Sequence, residues 1–135
     1  MIVVDTNTIA YLYLPTPDTP NVERLLELDS AWVAPLLWRS ELRNIMALHV
    51  RKNIVDLTTA CQIQHKAEAL MAGGEYEIDS LSVLSAAQQS GCSAYDCEFV
   101  ALAQGLSKPL ITADKKLLRA FPDVSVTVNT FITAT

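Results

Sequence analysis

Four acidic residues lie at points of the sequence from which they could act together: Asp5, Glu41, Asp96 and Asp114. Carboxylates that gather in one pocket repel one another and would partly protonate unless a cation relieves the repulsion. Hard divalent ions such as Mg²⁺ and Mn²⁺ prefer oxygen ligands, and a water molecule bound to such an ion becomes a nucleophile at neutral pH. If these acids converge, the chemistry that they favour is a metal-dependent reaction of a phosphoester.

Two of the acids follow predicted strands. Asp5 comes directly after the β-branched run at residues 2–4, which is typical of a short buried strand. Asp114 lies two residues beyond the strand predicted at residues 109–112. Because sites in parallel sheets form beyond the carboxyl ends of the strands, we expect Asp5 and Asp114 at the same edge of one sheet.

The other two acids are predicted on helices close to this edge. Asp96 lies in the first turn of a helix that leads into the strand at residues 109–112. Glu41 lies near the start of a long helix that follows the strand predicted at residues 32–35. Four carboxylates from four separate segments are therefore expected to converge.

The rest of the chain reads as strands alternating with helices. This alternation favours an α/β domain with a largely parallel sheet that is covered on both faces. The predicted strands are residues 2–4, 32–35, 76–78, 109–112 and 124–128, and the predicted helices are residues 6–14, 20–28, 37–52, 56 or 58 to 71, 80–90, 96–106 and 114–121.

Composition indicates an ordinary folded domain. The 135 residues suit a single domain spanning 1–135, and the hydrophobic fraction of 50% excludes a disordered chain. No apolar run approaches the ~20 residues of a membrane helix, and the N-terminus lacks the pattern of a signal peptide. The three cysteines and two histidines show no zinc or disulfide spacing. Free thiols lead us to expect a reducing, cytoplasmic setting.

The net charge of −5, from 15 acids and 10 bases, bears on the partners. Affinity for nucleic acid usually depends on lysine and arginine, so an acidic chain is not expected to bind it through a basic patch. Two bound divalent ions would nevertheless bring the net charge to −1. The charge therefore excludes one mode of binding nucleic acid and leaves a nucleic-acid substrate possible.

Each acid also has an ordinary structural interpretation. Asp5 and Asp114 could cap the turn or helix that follows each of them. The pattern Ser93-x-x-Asp96 fits a capping box, and Glu41 could be a solvated helix acid. No single residue decides between the interpretations. The coincidence of all four acids at one predicted edge is what favours a functional site.

Four stretches of the chain resemble, in the same order, the motifs of PIN-domain ribonucleases, and most of all those of the VapC-type toxins of bacterial and archaeal toxin–antitoxin pairs. The four motifs span nearly the whole chain, and their ordered set is more specific than any one of them. They are IVVDTN at residues 2–7, WRSEL at 38–42, YDCEFVALA at 95–103 and LITADKKL at 110–117. The resemblance implies a three-layer α/β/α fold of the PIN type.

The resemblance also implies roles for particular residues. It places the acidic quartet of the family, as catalytic residues and metal ligands, on the four acids named above, with Asp5 and Asp96 as the firmest ligands. It places the polar helpers on Asn7 and Thr112, which would orient carboxylates by hydrogen bonds. The implied cofactor is Mg²⁺ or Mn²⁺, as one ion or two, and the implied reaction is RNA cleavage that leaves 5′-phosphate and 3′-hydroxyl ends. Cys97 stands where smaller residues are commoner in the family.

Basic residues flank the predicted pocket. Arg39 and Arg43 lie beside the glutamate of the second motif, and Lys115 and Lys116 follow the aspartate of the fourth. These four side chains could hold phosphates outside the acidic pocket. A solvated helix face is an equally good interpretation of the same pattern.

Two other functions compete with a ribonuclease. Asp5 could be the covalent nucleophile of a phosphatase of the haloacid-dehalogenase type, but that motif requires a second aspartate where Asn7 stands. Alternatively, the chain could be an inactive PIN-like module that binds an ion or a protein. The intact acidic quartet argues against the loss of activity.

Partners are expected from the apolar surface and from the family resemblance. The helix at residues 37–52 is apolar on most sides, which is typical of a helix that is half buried and half interface. We expect this helix and the first helices to form a homodimer face and a groove for an antitoxin helix. Homodimers and antitoxin partners are both implied by the resemblance.

Overall fold

The computed structural model describes residues 1–135 and contains five strands and eight helices. The strands are β1 Ile2–Val4, β2 Trp32–Pro35, β3 Glu75–Tyr76, β4 Leu110–Ile111 and β5 Ser125–Val126. The helices are α1 Thr6–Tyr13, α2 Thr19–Leu28, α3 Leu37–Arg51, α4 Leu57–Met71, α5 Ser80–Ser90, α6 Ala94–Leu106, α7 Lys115–Ala120 and α8 Val128–Ala134. The α/β fold predicted from the sequence is confirmed.

The strand order of the sheet determines where a site can form. The order is β3-β2-β1-β4-β5, and every neighbouring pair is parallel, so that Val3 at the centre pairs with Val33 on one side and Leu110 on the other. The chain progresses from β1 to β2 and β3 and then crosses back to β4 and β5. Because the direction changes between β1 and β4, a crevice is expected beyond their carboxyl ends. Asp5 and Asp114 follow these two strands.

Helices cover both faces of the sheet and bury it. Helices α3 and α4 contact β2, and α6 contacts β1, β2 and β4. Because parallel crossovers are right-handed and the chain reverses direction along the sheet after β3, the two groups of helices are expected on opposite faces. Phe99, Val100 and Leu102 of α6 are buried in the same core as Val3 and Val4. The core thereby fixes the carboxyl edge of β1 against the start of α6, where one of the acids lies.

The predicted elements differ from the structure mainly at the C-terminal end. The strand expected at residues 124–128 is only Ser125–Val126, and the residues that follow form α8. The Thr127 hydroxyl begins this helix by accepting a hydrogen bond from the backbone N–H of Thr130 at 3.1 Å. The β-branched residues of this segment favour strand, but contact between α8 and α2 overrides that local preference. The predicted edge strand at 76–78 is likewise displaced to Glu75–Tyr76.

None of the eight helices combines the length and the apolar character needed to cross a membrane. All three cysteines are free thiols. Cys92 and Cys97 are buried, and Cys61 is exposed on α4.

Candidate active site

The four acids line one cleft of about 480 Å³ at the carboxyl edge of the sheet. Asn7 and Thr112 line the same cleft, together with Tyr11, Asn44 and Phe99. No lysine, arginine or histidine is among the lining residues. The structure thus brings together six residues that were predicted from four separate stretches of the sequence, and it leaves the four carboxylates without a cationic side chain in the cleft.

Asp5 is held rigidly at the end of β1. Its Oδ1 atom accepts hydrogen bonds from the backbone N–H of Thr8 at 2.9 Å and from the Thr8 hydroxyl at 2.7 Å, so Asp5 also caps α1. Burial raises the pKa of Asp5. The bonds from Thr8 and the neighbouring Thr112 hydroxyl lower that pKa, and the charge of Asp114 raises it again. The capping interpretation of Asp5 is therefore correct and is compatible with its place in the cleft.

Glu41 is positioned by a residue of the first motif, IVVDTN, to which the sequence assigned no role. The hydroxyl of Thr6, which is buried, donates a hydrogen bond to Oε1 of Glu41 at 2.7 Å. The other oxygen of Glu41 has no hydrogen-bond partner in the protein. Burial raises the pKa of Glu41, the bond from Thr6 lowers it, and the charges of Asp96 and Asp5 raise it further.

Asp96 has the freest carboxylate of the four. The Ser93 hydroxyl accepts a hydrogen bond from the backbone N–H of Asp96 at 3.1 Å, so Ser93 is the N-cap of α6. The Asp96 side chain makes no return bond to the Ser93 backbone, and the predicted capping box is therefore only half formed. Burial and the charge of Asp114 raise the pKa of Asp96, while the Ser93 hydroxyl and Lys116 lower it.

Asp114 both caps a helix and lines the cleft. Its Oδ1 atom accepts hydrogen bonds from the backbone N–H groups of Lys116 at 2.8 Å and Leu117 at 3.1 Å, which are the first free donors of α7. Its own backbone N–H donates to the buried hydroxyl of Thr112 at 3.1 Å. Since both capping bonds fall on Oδ1, Oδ2 has no hydrogen-bond partner in the protein.

The predicted phosphate contacts do not line the cleft. Arg39 instead makes a two-point ion pair with Glu75, at 2.6 Å and 2.7 Å, and this pair holds the pKa of Glu75 below its usual range. Arg43 lies in the groove between α3 and α4. Lys115 is exposed at the start of α7, and the amine of Lys116 donates to the carbonyl of Gly91 at 2.8 Å.

The donor set determines which ion the cleft could hold. No three carboxylate, histidine or cysteine side chains lie close enough to bind one ion together. Mg²⁺ commonly needs only one or two direct carboxylates, because it keeps several of its waters and uses substrate phosphates as further ligands. The cleft offers oxygen donors alone, and burial and mutual repulsion raise the pKa values of Asp5, Glu41 and Asp96. These residues therefore fit a hard divalent cation held partly through water.

Comparison with known proteins gives consistent results. The family model for the PIN domain matches residues 2–122. The chain is 27% identical over 134 residues to Ribonuclease VapC3 of Pyrobaculum aerophilum, a match that covers 90% of this chain and 95% of that protein.

Solved structures share the fold at lower sequence identity. The crystal structure of PAE2754 from Pyrobaculum aerophilum superposes with a TM-score of 0.78 at 20% identity, over 98% of this chain and 94% of that one. A toxin–antitoxin complex from Klebsiella pneumoniae superposes with a TM-score of 0.71 at 18% identity, over 95% of this chain and 98% of that one. The crystal structure of FitAcB from Neisseria gonorrhoeae superposes with a TM-score of 0.70 at 23% identity, over 94% of this chain and 96% of that one. With the family model matching most of its length, the chain belongs to the PIN domain family.

Proposed function

We propose that this chain is a metal-dependent endoribonuclease that serves as the toxin of a toxin–antitoxin pair. The observation that carries the proposal is the single cleft in which four carboxylates lie without a cationic side chain. Membership of the PIN domain family supports it, as does similarity to a protein named as a ribonuclease. The structural likeness to toxin–antitoxin proteins supports the biological role.

Asp5 and Asp96 are the proposed direct ligands of Mg²⁺ or Mn²⁺, and Glu41 and Asp114 complete the site through water or by binding a second ion. Such an ion supplies an activated water and stabilises the charge that develops on the phosphate. The hydroxyls of Thr6 and Thr8 keep their carboxylate partners turned into the cleft. Because these hydroxyls are uncharged, they position the carboxylates without competing with the metal ion for the carboxylate charge.

Thr112 and Asn7 have supporting roles in this proposal. Thr112 is almost completely buried, and its hydroxyl accepts a hydrogen bond from the backbone N–H of Asp114 and lowers the pKa of Asp5. Asn7 was expected to orient a carboxylate, but the side-chain donors to Glu41 and Asp5 are Thr6 and Thr8. Asn7 is exposed and lines the cleft, so its proposed role is to bind a sugar or phosphate oxygen of the substrate. Neither residue changes the charge of the site.

Of the four basic residues, we retain Lys115 and Lys116 as proposed phosphate contacts. They lie at the start of α7, next to Asp114, where an RNA backbone leaving the cleft would pass. Arg39 and Arg43 are less suited, because Arg39 is paired with Glu75 and Arg43 lies away from the cleft.

An antitoxin helix is the proposed occupant of the groove between α3 and α4. The groove is lined by the apolar side chains of Met46, Val50 and Leu57 and by the basic side chains of Arg43 and Arg51. Leu57 is 68% exposed, so the apolar surface lacks a cover within the chain. An amphipathic helix with acidic flanking residues matches both the apolar and the basic side chains.

A homodimer is the second proposed assembly. Three large apolar side chains at α5 and the start of α6 are exposed, namely Leu81, Leu84 and Tyr95. Isolated exposed apolar residues are common, but a group of three on neighbouring helices favours contact with another chain. This surface on α5 and α6 differs from the dimer face expected from the sequence on the helix at residues 37–52, and we propose that the dimer buries it.

The nuclease is tested by incubating the purified chain with single-stranded RNA in Mn²⁺, then in Mn²⁺ with excess EDTA. We expect cleavage in the first reaction and none in the second, with new ends that carry a 5′-phosphate. Asp5→Asn and Asp96→Asn should abolish cleavage while circular dichroism stays that of the parent. RNA that remains intact with the wild-type chain would favour an inactive PIN-like module instead.

A further inference from the structure

A second concavity adjoins the acidic cleft and has a different chemistry. It measures about 240 Å³ and shares four lining residues with the cleft: Asp5, Asn7, Tyr11 and Ala113. Its other wall is formed by α2 and by the start of α8. Any polymer with a group held at the carboxylates therefore has its neighbouring unit within reach of this second space, which we call the side pocket.

The side pocket is unsuited to a phosphate. No lysine, arginine or histidine lines it, and its one acid beyond the shared cleft is Asp18. Its remaining polar residues are neutral, with Asn21, Thr127 and Asn129 prominent among them. An uncharged group that can both donate and accept hydrogen bonds is the ligand that this lining favours.

Two asparagines on separate helices are already oriented for such a ligand. The amide nitrogen of Asn21 on α2 donates to the amide oxygen of Asn129 on α8 at 2.8 Å, across 108 residues of sequence. This bond leaves one amide oxygen and one amide nitrogen of the pair without a partner in the protein. Exchanging oxygen and nitrogen in both amides would preserve the bond and still leave one acceptor and one donor.

Tyr11 stands between the two spaces, because it lines both the cleft and the side pocket. Unpaired RNA bases are commonly recognised by stacking on an aromatic ring and by hydrogen bonds to their edges. The side pocket combines these two elements, an aromatic ring and an adjacent donor–acceptor pair. The Watson–Crick edge of each unpaired RNA base has a donor beside an acceptor, and their order in adenine and cytosine is the reverse of that in guanine and uracil.

We propose that the side pocket binds one unpaired nucleobase of single-stranded RNA, adjacent to the phosphate held at the carboxylates, and that Asn21 and Asn129 read its edge. This inference rests on the proposed nuclease function. It adds that the chain distinguishes among RNA sequences through neutral contacts, since neither concavity contains a basic side chain.

The test measures binding separately from cleavage. Short labelled RNA homopolymers, and a ribose-phosphate strand of the same length without bases, are titrated with the chain in Ca²⁺ and followed by fluorescence anisotropy. We expect the homopolymers to bind with different affinities and the abasic strand to bind weakest. Asn21→Ala and Asn129→Ala should each weaken binding of the preferred homopolymer about tenfold and leave the abasic strand unchanged. Gln89→Ala, an exposed amide on α5, is the matched control.

The outcomes separate the two proposals. The side pocket is not a base site if Asn21→Ala and Asn129→Ala lose as much affinity for the abasic strand as for the preferred homopolymer. It is likewise not a base site if these variants lose no affinity for any strand. The cleavage assay in Mn²⁺ is run on the same proteins. Base-selective binding without cleavage contradicts the nuclease and leaves the side pocket standing. Cleavage by wild-type and variant chains with the same rate and the same sequence preference contradicts the side pocket and leaves the nuclease standing.

Discussion

The hydroxyl of Thr6 donates a hydrogen bond to Oε1 of Glu41 at 2.7 Å and so ties the start of α1 to α3 across 35 residues of sequence. Both residues line the acidic cleft. Because Thr6 is buried and Glu41 is half-buried, the bond fixes which way the carboxylate points. Thr6 is therefore a positioning residue for one of the four acids.

Replacing Thr6 by valine, which has nearly the same shape, removes the donor and frees the Glu41 side chain. We expect Thr6→Val to lower Mn²⁺ affinity and kcat/KM about tenfold, as loss of a hydrogen bond to a metal ligand commonly does. Thr6→Ser keeps the hydroxyl and should restore both quantities. Isothermal titration with Mn²⁺ and initial cleavage rates measure them. Equal Mn²⁺ affinities in Thr6→Val and wild type would show that Thr6 has only a structural role.

The raised pKa values of the acids predict an unusual dependence of stability on pH. Burial is the largest cause of the raised pKa at Asp5, Glu41 and Asp96, whereas in the unfolded chain these groups return to about 3.8 for aspartate and 4.5 for glutamate. Between the unfolded values and the raised folded values, the folded state binds more protons than the unfolded state. The contribution of these groups to the free energy of unfolding therefore falls as the pH rises through that window.

Asp96→Asn isolates part of this effect, since it removes one of the repelling charges. Without metal, we expect the variant to be more stable than the wild type at neutral pH, and the difference should shrink as the pH falls toward the unfolded pKa. Thermal melts in EDTA across this pH range measure it, with Asp123→Asn on the exposed surface as the control. The same stability difference between wild type and Asp96→Asn at every pH would contradict a raised pKa at Asp96.

Asp114 allows its two roles to be separated. Asparagine is as good an N-cap as aspartate, whereas alanine is a poor one. We expect Asp114→Asn to keep the stability of the wild type and to lose cleavage activity about a hundredfold. Asp114→Ala should lose activity equally and also lose about 1 kcal/mol of stability. Urea denaturation and cleavage rates give the two quantities. An Asp114→Asn chain that cleaves at the wild-type rate would reduce Asp114 to a helix cap.

The ion pair of Arg39 with Glu75 predicts which basic side chains of the protein contact RNA. Arg39→Ala leaves Glu75 without its ionic partner, so we expect lower stability and an unchanged salt dependence of RNA binding. Lys115→Ala should leave stability unchanged and reduce the slope of log affinity against log salt by about 0.7 for a single-stranded RNA. Anisotropy titrations at several salt concentrations test both. A reduced slope for Arg39→Ala would place Arg39 on the RNA path after all.

Some features of the site are predictable from the sequence because they depend on adjacent residues. Asp5 follows an apolar run directly, and Asp114 follows one within a few residues, so the end of each strand fixes the place of its acid. The helix start at Ser93 likewise fixes the place of Asp96. Local pattern and the rule for parallel sheets were sufficient to predict one edge for the acids.

Other features depend on how distant elements pack. The bond between Thr6 and Glu41, and the pairing of Arg39 with Glu75, join residues 35 and 36 positions apart and have no local signature. Helix α8 has β-branched residues, which favour strand, and its contact with distant α2 stabilises it as a helix. The side pocket could not be foreseen for the same reason, since it needs Asn129 on α8 beside Asn21 on α2.

The most direct test of the account is Mn²⁺ binding to the purified, metal-free chain, followed by electron paramagnetic resonance of free Mn²⁺. We predict that the wild-type chain binds one or two Mn²⁺ ions, and that the variant with both Asp5→Asn and Asp96→Asn binds none at the same concentrations. Asp123→Asn should bind as the wild type does. Equal binding by the wild type and the double variant, or no binding by the wild type, would contradict a metal centre in the acidic cleft.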